Sequence, residues 1–434
     1  MDHVRDLVAR HFGMRGGDLL IGGLPVRELA AAHGTPLFVY DAAVLDRQMA
    51  QLRSTYPAEF DIYYSVKANP CPAILRHFVS RGLGLEIASG GEFYQALRGG
   101  CAPERILFAG PGKTEQELTY VLERGIGEIH IESALEADRV ASISKRLGIR
   151  TRVALRVNPG AAAQGGAMRM GGKPAPFGVD EERIDEVLDC LLADPCLDVR
   201  GIHLYAGTQI LDDQILLTQY RLGIEIARRV ADRMGQPLRT LDFGGGLGIP
   251  YFESEAPLAL SRLAVGLARL VEDIRTDPRF QRTRFVVEPG RFLVGEAGVY
   301  VTRVNDIKVS RGKTFIVVDG GMNHHLAASG NLGQVIKRNF PAAVLNRLEM
   351  PPVAKVDVVG PLCTPLDVIA RDLALPAVEV GDLFGIFQSG AYARTASPLG
   401  FLSQPTPAEV LVRDGEAILA RRRGSFEETL GDVP

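Results

Sequence analysis

Several features are scarce in this sequence of 434 residues, and each scarcity excludes a class of protein. The charges nearly cancel, with 49 Lys and Arg against 52 Asp and Glu, so no general attraction to nucleic acid or to an anionic membrane is expected. No run reaches the roughly 18 apolar residues that a bilayer requires. The opening segment is amphipathic and interrupted by charges, unlike the apolar centre of a signal peptide. We therefore expect a soluble, cytoplasmic protein.

Cysteine is also scarce, and its spacing is uninformative. The five cysteines form no C-x-x-C pair, so neither a zinc site nor a thiol redox motif is predicted. The adjacent His324 and His325 have no third ligand at a useful spacing, and no metal is expected. The remaining composition, 46% hydrophobic and 23% charged, is that of a globular protein with a sizeable core, and it excludes a disordered chain or a small disulfide scaffold.

Short apolar or β-branched runs recur along the chain, and segments with a helical period separate them. The runs begin at Asp61, Leu83, Arg105, Glu128, Arg152, Val199, Leu238 and Arg284. Ser89 and Ser133 stand where helix-capping residues are expected. Eight strand–helix units over about 250 residues predict an α/β fold of the (β/α)8 type, a TIM barrel, with a doubly wound open sheet as the alternative.

The pattern changes after Arg291, where strand-like runs such as VYVTRVNDIKV and TFIVVDGG follow one another with little helix between them. We predict a barrel over residues 37–291 and a discontinuous β domain formed by residues 1–36 plus 292–434. A glycine-rich segment that begins at Gly165 is expected to form a loop between the fifth and sixth barrel strands.

Unusual residues follow several of the predicted strands, at the end where a barrel places its active site. Lys67, in YYSVKANP, could be desolvated enough to attack an aldehyde, although a strand-end lysine is more often a solvated surface residue. Gly244, Gly245 and Gly246 offer backbone N–H groups to a phosphate, although tight turns use the same residues. Each signal is weak when it is taken alone.

The last predicted strand ends in EPGR, which holds Glu288 and Arg291 on either side of a Pro-Gly turn. These two residues either form a surface ion pair or bind the pyridinium nitrogen and the phosphate of pyridoxal phosphate. A lysine, a phosphate cradle and an acidic ring partner are together far more specific than any one of them. The sequence therefore indicates a pyridoxal 5′-phosphate cofactor.

Further motifs occur in order from about Thr35 to Val412, namely YSVKANP, SGGE, VNPG, GIHLYAGTQ, DFGGGLG, EPGR, DGGMN, GPLCTPLD and SGAY. Through these motifs the sequence resembles the fold-type III pyridoxal-phosphate decarboxylases, the family of diaminopimelate and ornithine decarboxylases. The resemblance implies an alanine-racemase-like barrel with a C-terminal β domain. It also implies a homodimer whose active sites lie at the interface.

The resemblance implies a role for each matching position. Lys67 corresponds to the lysine that binds the cofactor covalently, and Glu288 to the acid that keeps its ring nitrogen protonated. Cys363 falls on a cysteine that, in relatives, comes from the other subunit and protonates the carbanion, whereas an isolated cysteine is ordinarily an inert buried thiol. The implied cofactor-binding residues are Lys67, Tyr205, Thr208, Gly244, Gly245, Gly246, Glu288, Arg291 and Tyr392.

Departures from the family pattern concern the substrate. Relatives carry an acidic residue just after or close to the cysteine, whereas Thr364 follows it here and only Asp367 remains acidic in the loop. Diaminopimelate decarboxylases have an arginine after their D-A-G-M-N motif, whereas His324 and His325 follow it here. Both means of holding a free diamino acid are absent, and we take these four residues as candidate substrate contacts. Tyr205 also replaces a histidine that stacks on the cofactor ring in relatives.

The motifs LYAGTQ, GGMNHHLAASGN and GPLCTPLD are similar to a subgroup associated with secondary metabolism and polysaccharide-export clusters, some of whose members act on acyl-carrier-protein thioesters in antibiotic biosynthesis. We therefore predict a lyase that decarboxylates a carrier-bound glutamyl, aspartyl or methylaspartyl group. Lys337 and Arg338 are candidate contacts for an acidic carrier protein. The alternatives are a decarboxylase of free diaminopimelate, ornithine or lysine, a racemase or epimerase, and a non-enzymatic cofactor binder.

Overall fold

The computed structural model describes residues 2–160, 168–169, 174–205, 207–334 and 336–431. The chain divides into two compact units. The barrel unit comprises Met49–Ile249 and Pro257–Gly290, and the sheet unit comprises Met1–Gln48, Pro250–Ala256 and Arg291–Pro434. Most of the glycine-rich segment that begins at Gly165 lies outside the described residues.

Eight parallel strands in the barrel unit form a closed ring. Each strand pairs with the next one along the chain, and the last pairs with the first through Phe285 opposite Phe60. The strands are Phe60–Ser65, Gly84–Ile87, Ile106–Phe108, Glu128–Ile131, Thr151–Asn158, Leu197–Leu204, Thr240–Asp242 and Arg284–Val287. A short strand, Val179–Asp180, extends the ring beside Thr151–Asn158. The barrel prediction is confirmed, and the open-sheet alternative is wrong.

Helices alternate with the barrel strands, and two of them carry the N-terminal caps that the sequence predicts. The helices are Pro72–Val79, Gly90–Arg98, Glu115–Leu122, Ala134–Leu147, Ile184–Ala193, Asp213–Met234 and Leu260–Ile274. The hydroxyl groups of Ser89 and Ser133 accept hydrogen bonds from the backbone N–H groups of Glu92 and Glu136. These bonds satisfy donors that a helix start leaves unpaired, which is why the two helices begin where the sequence predicts.

The sheet unit is built on a nine-stranded sheet. Its strands are Leu37–Asp41, Gly298–Ser310, Lys313–Val318, Ala342–Val344, Ala354–Val359, Val368–Leu375, Leu383–Ile386, Ala408–Arg413 and Glu416–Arg421. Leu37–Asp41 pairs with Gly298–Ser310 on one side and with Ala408–Arg413 on the other. The predicted domain boundary at residue 37 is therefore wrong, because a short apolar run does not reveal which sheet it joins.

The first residues of the chain complete the sheet unit. Three helices, Asp2–His11, Val26–His33 and Ala42–Thr55, and three short strands, Gly13–Arg15, Asp18–Ile21 and Leu24–Pro25, precede the barrel. Leu7 and Leu19 are fully buried in one core cluster with Val299 and Val410 of the large sheet. The amphipathic pattern at the start of the sequence thus reflects packing inside this unit. Within the described part of the chain, no helix is long and apolar enough to cross a membrane.

Candidate active site

Lys67 lies at the end of the first barrel strand, in the short 3-10 helix Val66–Ala68. Val66 and Ala68 are buried, whereas the Lys67 side chain retains 40% of its exposure. Its Nζ lies 3.0 Å from Oε2 of Glu86 and 5.8 Å from the centroid of the Tyr205 ring. Apolar packing therefore fixes the backbone on both sides of a side chain that stays accessible, which is what a nucleophilic amine requires.

Glu86 is the partner of Lys67, and the sequence analysis missed it. This carboxylate is buried at the end of the second strand and also accepts a hydrogen bond from the hydroxyl group of Ser65. A buried carboxylate is costly unless it is paired, and Lys67 and Ser65 provide the pairing. The available signal was a single acidic residue inside the otherwise apolar run LGLEIA.

Gly244, Gly245 and Gly246 follow the seventh strand and leave no space for side chains. A Cβ atom on Gly245 would lie 2.4 Å from the carbonyl oxygen of Glu288, and one on Gly244 would lie 2.5 Å from that of Leu204. Gly244 and Gly246 also have φ angles of +65° and +102°, which favour glycine. This turn therefore presents bare backbone, which is what a close approach to a phosphate group requires.

Four buried titratable side chains meet beside the glycine turn. His130, His203, Asp242 and Glu288 each place one ligating atom within 4.8 Å of the others. Nε2 of His203 lies 3.4 Å from Oε2 of Glu288, and the two imidazole rings lie 4.4 Å apart. The sequence analysis predicted only Glu288 of this cluster. The other three residues could have been found because they are ionisable residues in strands that are otherwise apolar and buried.

Burial sets the charge of this cluster. Desolvation by burial, followed by the charge of His130, lowers the pKa of His203 well below its ordinary value. Desolvation and the nearby charge of Glu288 raise the pKa of Asp242 well above its ordinary value. His203 is therefore a neutral imidazole at neutral pH, and Asp242 binds a proton more readily than an exposed aspartate does.

A second buried ion pair lies close to Tyr205. Nη1 of Arg156 donates to Oε1 of Glu132 at 2.7 Å, and the guanidinium carbon lies 6.0 Å from the centroid of the Tyr205 ring. Burial acts to raise the pKa of Glu132, but the charges of Arg156 and Lys113, together with hydrogen bonds from Arg156 and Gly178, lower it. The half-buried Tyr205 thus has cationic groups of Lys67 and Arg156 within 6.0 Å of its ring, and half-buried Thr208 lies three residues further on.

Arg291 and Tyr392, both predicted to bind phosphate, belong to the sheet unit. The structure brings them together, with the Arg291 guanidinium 4.7 Å from the centroid of the Tyr392 ring. Nη1 of Arg291 also donates to the hydroxyl group of Tyr251 at 2.9 Å. Tyr251 was not among the predicted residues. These contacts orient a planar guanidinium, the group best suited to a phosphate oxygen pair.

The loop that holds Cys363 is also in the sheet unit. The Cys363 side chain is exposed and that of Thr364 is half-buried, whereas Asp367 is buried. The two carboxylate oxygens of Asp367 accept hydrogen bonds from the N–H groups of Met322 and Leu362, at 2.7 and 2.9 Å. Asp367 therefore braces two backbone turns. This geometry argues against its predicted contact with substrate.

His324 and His325 are packed inside the sheet unit, each at most 2% exposed. Nδ1 of His324 lies 3.1 Å from the Tyr300 hydroxyl group, and Nε2 of His325 lies 3.0 Å from that of Ser389. Burial lowers the pKa of His324 to about 4 and that of His325 to about 3, so both are neutral at neutral pH. Their burial favours a packing role over the predicted contact with substrate, and we retain neither as a substrate residue.

The barrel and its strand-end residues define a site for pyridoxal phosphate. The residues present fit this cofactor: Lys67 is an accessible amine on a fixed backbone, Gly245 leaves the room that a Cβ would fill, and Glu288 has an oxygen, Oε1, that is buried without a hydrogen-bond donor. Residues 42–295 match the family model described as pyridoxal-dependent decarboxylase, pyridoxal binding domain.

Relatives match over nearly the whole chain. The L-glutamyl-[BtrI acyl-carrier protein] decarboxylase of Niallia circulans is 37% identical over 400 residues, which cover 91% of this chain and 92% of that protein. The diaminopimelate decarboxylase of Methanothermobacter thermautotrophicus is 36% identical over 421 residues, or 95% of each chain. The crystal structure of diaminopimelate decarboxylase from M. jannaschii has a TM-score of 0.89 at 26% identity and covers 98% of each chain.

This chain belongs to the family of pyridoxal-dependent decarboxylases. It is an enzyme that uses pyridoxal phosphate to decarboxylate an amino acid. The family predicted from the motifs is thereby confirmed, and so is the cofactor. The non-enzymatic alternative is wrong.

Proposed function

We propose that this enzyme decarboxylates an aminoacyl group that is bound as a thioester to an acyl-carrier protein in natural-product biosynthesis. Glutamyl, aspartyl and methylaspartyl groups are the candidates, because a thioester formed through the side chain leaves the carboxylate beside the amino group free. The relative from Niallia circulans, whose name states a glutamyl-carrier substrate, supports this choice.

The proposal depends on the two backbone hydrogen bonds that Asp367 accepts. It is the only acidic residue left in the GPLCTPLD loop, and both of its oxygens accept backbone N–H groups. A distal ammonium group on a free diamino acid would find no free carboxylate there, and an unpaired charge in such a pocket costs several kcal/mol. A carrier-bound substrate has no such distal charge. Thr364 fits a neutral contact with the substrate at the position beside Cys363.

Each residue of the proposed site has its own role in the reaction. Bound pyridoxal phosphate supplies an electron sink for the electron pair that carbon dioxide leaves behind. Lys67 would hold the cofactor through its Nζ, and Glu288 would accept a hydrogen bond from the ring nitrogen. The residues that would bind the phosphate are Gly244, Gly245, Gly246, Thr208, Arg291 and Tyr392, and Tyr205 would contact the ring. Cys363, contributed by the partner subunit of a homodimer, returns a proton from Sγ or from a water molecule that it holds.

Lys337 and Arg338 are the proposed contacts for the carrier protein. Both are exposed, and the guanidinium carbon of Arg338 lies 3.5 Å from the centroid of the Phe252 ring. Nζ of Lys337 donates to Oδ1 of Asn331 at 2.6 Å. Two adjacent cations suit the acidic surface of a carrier protein, because complementary charge accelerates the encounter.

A panel of carrier proteins, each loaded with one aminoacyl group, tests the proposal by intact-protein mass spectrometry. The expected result is loss of one carbon dioxide from one loaded carrier, while the same free amino acids release none. Release from free diaminopimelate, ornithine or lysine alone would contradict the proposal and favour the free-amino-acid alternative, which the diaminopimelate decarboxylase relatives represent. Retention of the carboxylate with solvent deuterium at the α carbon would identify a racemase or epimerase.

A further inference from the structure

Two carboxyl groups face each other inside the barrel without a donor between them. Oδ2 of Asp242 and Oε1 of Glu288 are buried, and neither oxygen accepts a hydrogen bond from any residue that the structure describes. Both residues are at most 4% exposed and belong to the cluster whose ligating atoms lie within 4.8 Å of one another. Two ionised carboxylates at this separation in a dry interior repel each other strongly. One proton held by the pair removes the repulsion and supplies the missing donor.

Several charged and polar side chains near Asp242 and Glu288 contact a third carboxylate, Glu128. Nε2 of His130 lies 3.9 Å from Oδ2 of Asp242 and 3.5 Å from Oε1 of Glu128. Glu128 has its own donor in the hydroxyl group of Thr240, at 2.9 Å, and Arg284 lies 3.8 Å from it. Thr240 and Arg284 thus contact Oε2 of Glu128. A proton shared by Asp242 and Glu288 would give this pair the donor that these neighbours do not provide.

Asp242 is the better holder of that proton. Desolvation by burial, followed by the charge of Glu288, raises the pKa of Asp242 well above its ordinary value. Its other oxygen, Oδ1, accepts a hydrogen bond from the N–H group of Gly244 at 2.8 Å, as a neutral carboxyl group can. Nε2 of the neutral His203 lies 3.4 Å from Oε2 of Glu288, so the tautomer that carries its proton on Nε2 can act as a second donor to the negative charge of Glu288.

We infer that Asp242 is a positioning residue that stays protonated and donates a hydrogen bond to Glu288, with His203 as a second neutral donor. Asp242 then joins two parts of the cofactor site, the glycine turn through Gly244 and the ring-nitrogen partner Glu288. Neutral donors keep Glu288 ionised, which is the form that accepts a hydrogen bond from a protonated ring nitrogen. The inference rests on the proposed role of Glu288 and is independent of which substrate is used.

A divalent metal ion is the competing occupant of this cluster, since two imidazoles and two carboxylates form a plausible donor set. Metal binding requires both carboxylates to be ionised, whereas a held proton requires one of them to be neutral. The two occupants therefore predict opposite charge states for Asp242, and the charge state can be measured directly.

Infrared difference spectroscopy of the holoenzyme tests the charge state. At pH 7, the spectrum of the wild type minus that of Asp242→Asn should contain the carbonyl stretch of a protonated carboxylic acid. The band should shift when aspartate is labelled with 13C at its side-chain carboxyl and stay in place when glutamate is labelled. A band that follows labelled glutamate, or no band at all, would overturn the inference. So would one equivalent of tightly bound zinc that Asp242→Asn abolishes.

Paired variants test the positioning role. Asp242→Leu removes the donor, and we expect pyridoxal phosphate to bind about 10- to 100-fold more weakly, as for loss of a hydrogen bond to a charged group. Asp242→Asn restores a neutral donor of the same shape and should recover most of that affinity. In 15N NMR spectra of ring-labelled cofactor, the resonance should shift in Asp242→Leu and return towards the wild-type position in Asp242→Asn.

The controls separate this role from simple stability. Asp367→Asn changes a buried aspartate of the sheet unit and should leave the ring-nitrogen resonance in place. If Asp242→Leu does not fold, His203→Gln against His203→Phe makes the same comparison from the second donor, and only the phenylalanine should shift the resonance. Equal effects of asparagine and leucine at position 242 would show that an ionised carboxylate is required and would refute the inference. None of these measurements uses a substrate, so their outcome is independent of the carrier-protein assay.

Discussion

Two pairs of buried carboxyl groups, one pair in each unit, differ in how their oxygens are bonded. In the sheet unit, Asp367 accepts two backbone N–H groups, and Glu409 accepts hydrogen bonds from Tyr40 and Arg421. In the barrel unit, Asp242 and Glu288 each keep a buried oxygen without a donor. An unsatisfied buried polar group costs about 1–3 kcal/mol. Satisfied carboxylates hold the fold together, whereas a cluster of unsatisfied ones marks the place where the protein binds and transforms something else.

Replacement of Lys67 is expected to have the largest effect. Lys67→Ala removes the amine that we propose to hold the cofactor covalently, so the absorbance of the lysine-bound cofactor should disappear and kcat should fall by at least about a thousandfold. The measurement is an absorbance spectrum together with a carbon dioxide release assay. Arg421→Ala is the matched control, because it also removes the cation beside a buried glutamate, Glu409. It should lower stability and leave the spectrum unchanged, whereas an unchanged spectrum in Lys67→Ala would refute the assignment.

Replacement of Cys363 tests whether a residue of the sheet unit takes part in the reaction. This exposed thiol belongs to the sheet unit, and we propose that it returns a proton to the product. Cys363→Ala should therefore lower kcat about a hundredfold without changing the cofactor spectrum. Cys190→Ala, which alters an exposed thiol on a barrel helix, should have no effect on kcat. Full activity of Cys363→Ala would leave all the chemistry in the barrel.

The glycine turn provides a test of stability within the barrel. A Cβ at position 245 would lie 2.4 Å from the backbone oxygen of Glu288, which cannot move aside as a flexible side chain would. Gly245→Ala should therefore lower the free energy of unfolding by about 1–3 kcal/mol and weaken cofactor binding. Gly112→Ala, where the added Cβ meets nothing within 4 Å, should change stability by less than about 0.5 kcal/mol. Denaturant titration of both variants measures the difference, and equal stabilities would show that the turn has room to adjust.

The sequence predicts the barrel well because its signals are local. The runs DIYYS and EIHIE contain the β-branched and aromatic residues that favour strands, and the Ser89 and Ser133 caps mark where helices begin. The boundary at residue 37 fails for the opposite reason. Leu37–Asp41 pairs with strands more than 250 residues later in the chain, and that pairing has no local signature.

The candidate site divides in the same way. Lys67 and Glu288 end strands next to turn signals, so their positions imply chemistry from the sequence alone. Glu86, His130 and Asp242 lie within strands, and only the packing of eight strands shows that their side chains meet. For Asp367, in contrast, the sequence suggests a functional role that the structure does not support. An acidic residue in a substrate loop invites a functional interpretation, and only the backbone geometry shows that its oxygens are already engaged.

An effect on stability alone is expected from the neutral histidines of the sheet unit. The folded-state pKa of His325 is about 3, below the ordinary value of 6.5, because burial disfavours its charged form. Between these values the unfolded chain binds more protons than the folded one, so stability must fall as the pH decreases from about 7 towards 4. At pH 5 the loss amounts to about 2 kcal/mol. His325→Gln removes this contribution and should make the pH dependence of unfolding, measured by denaturant titration, less steep. A variant that loses stability with acid as steeply as the wild type would show that groups other than His325 set the acid sensitivity.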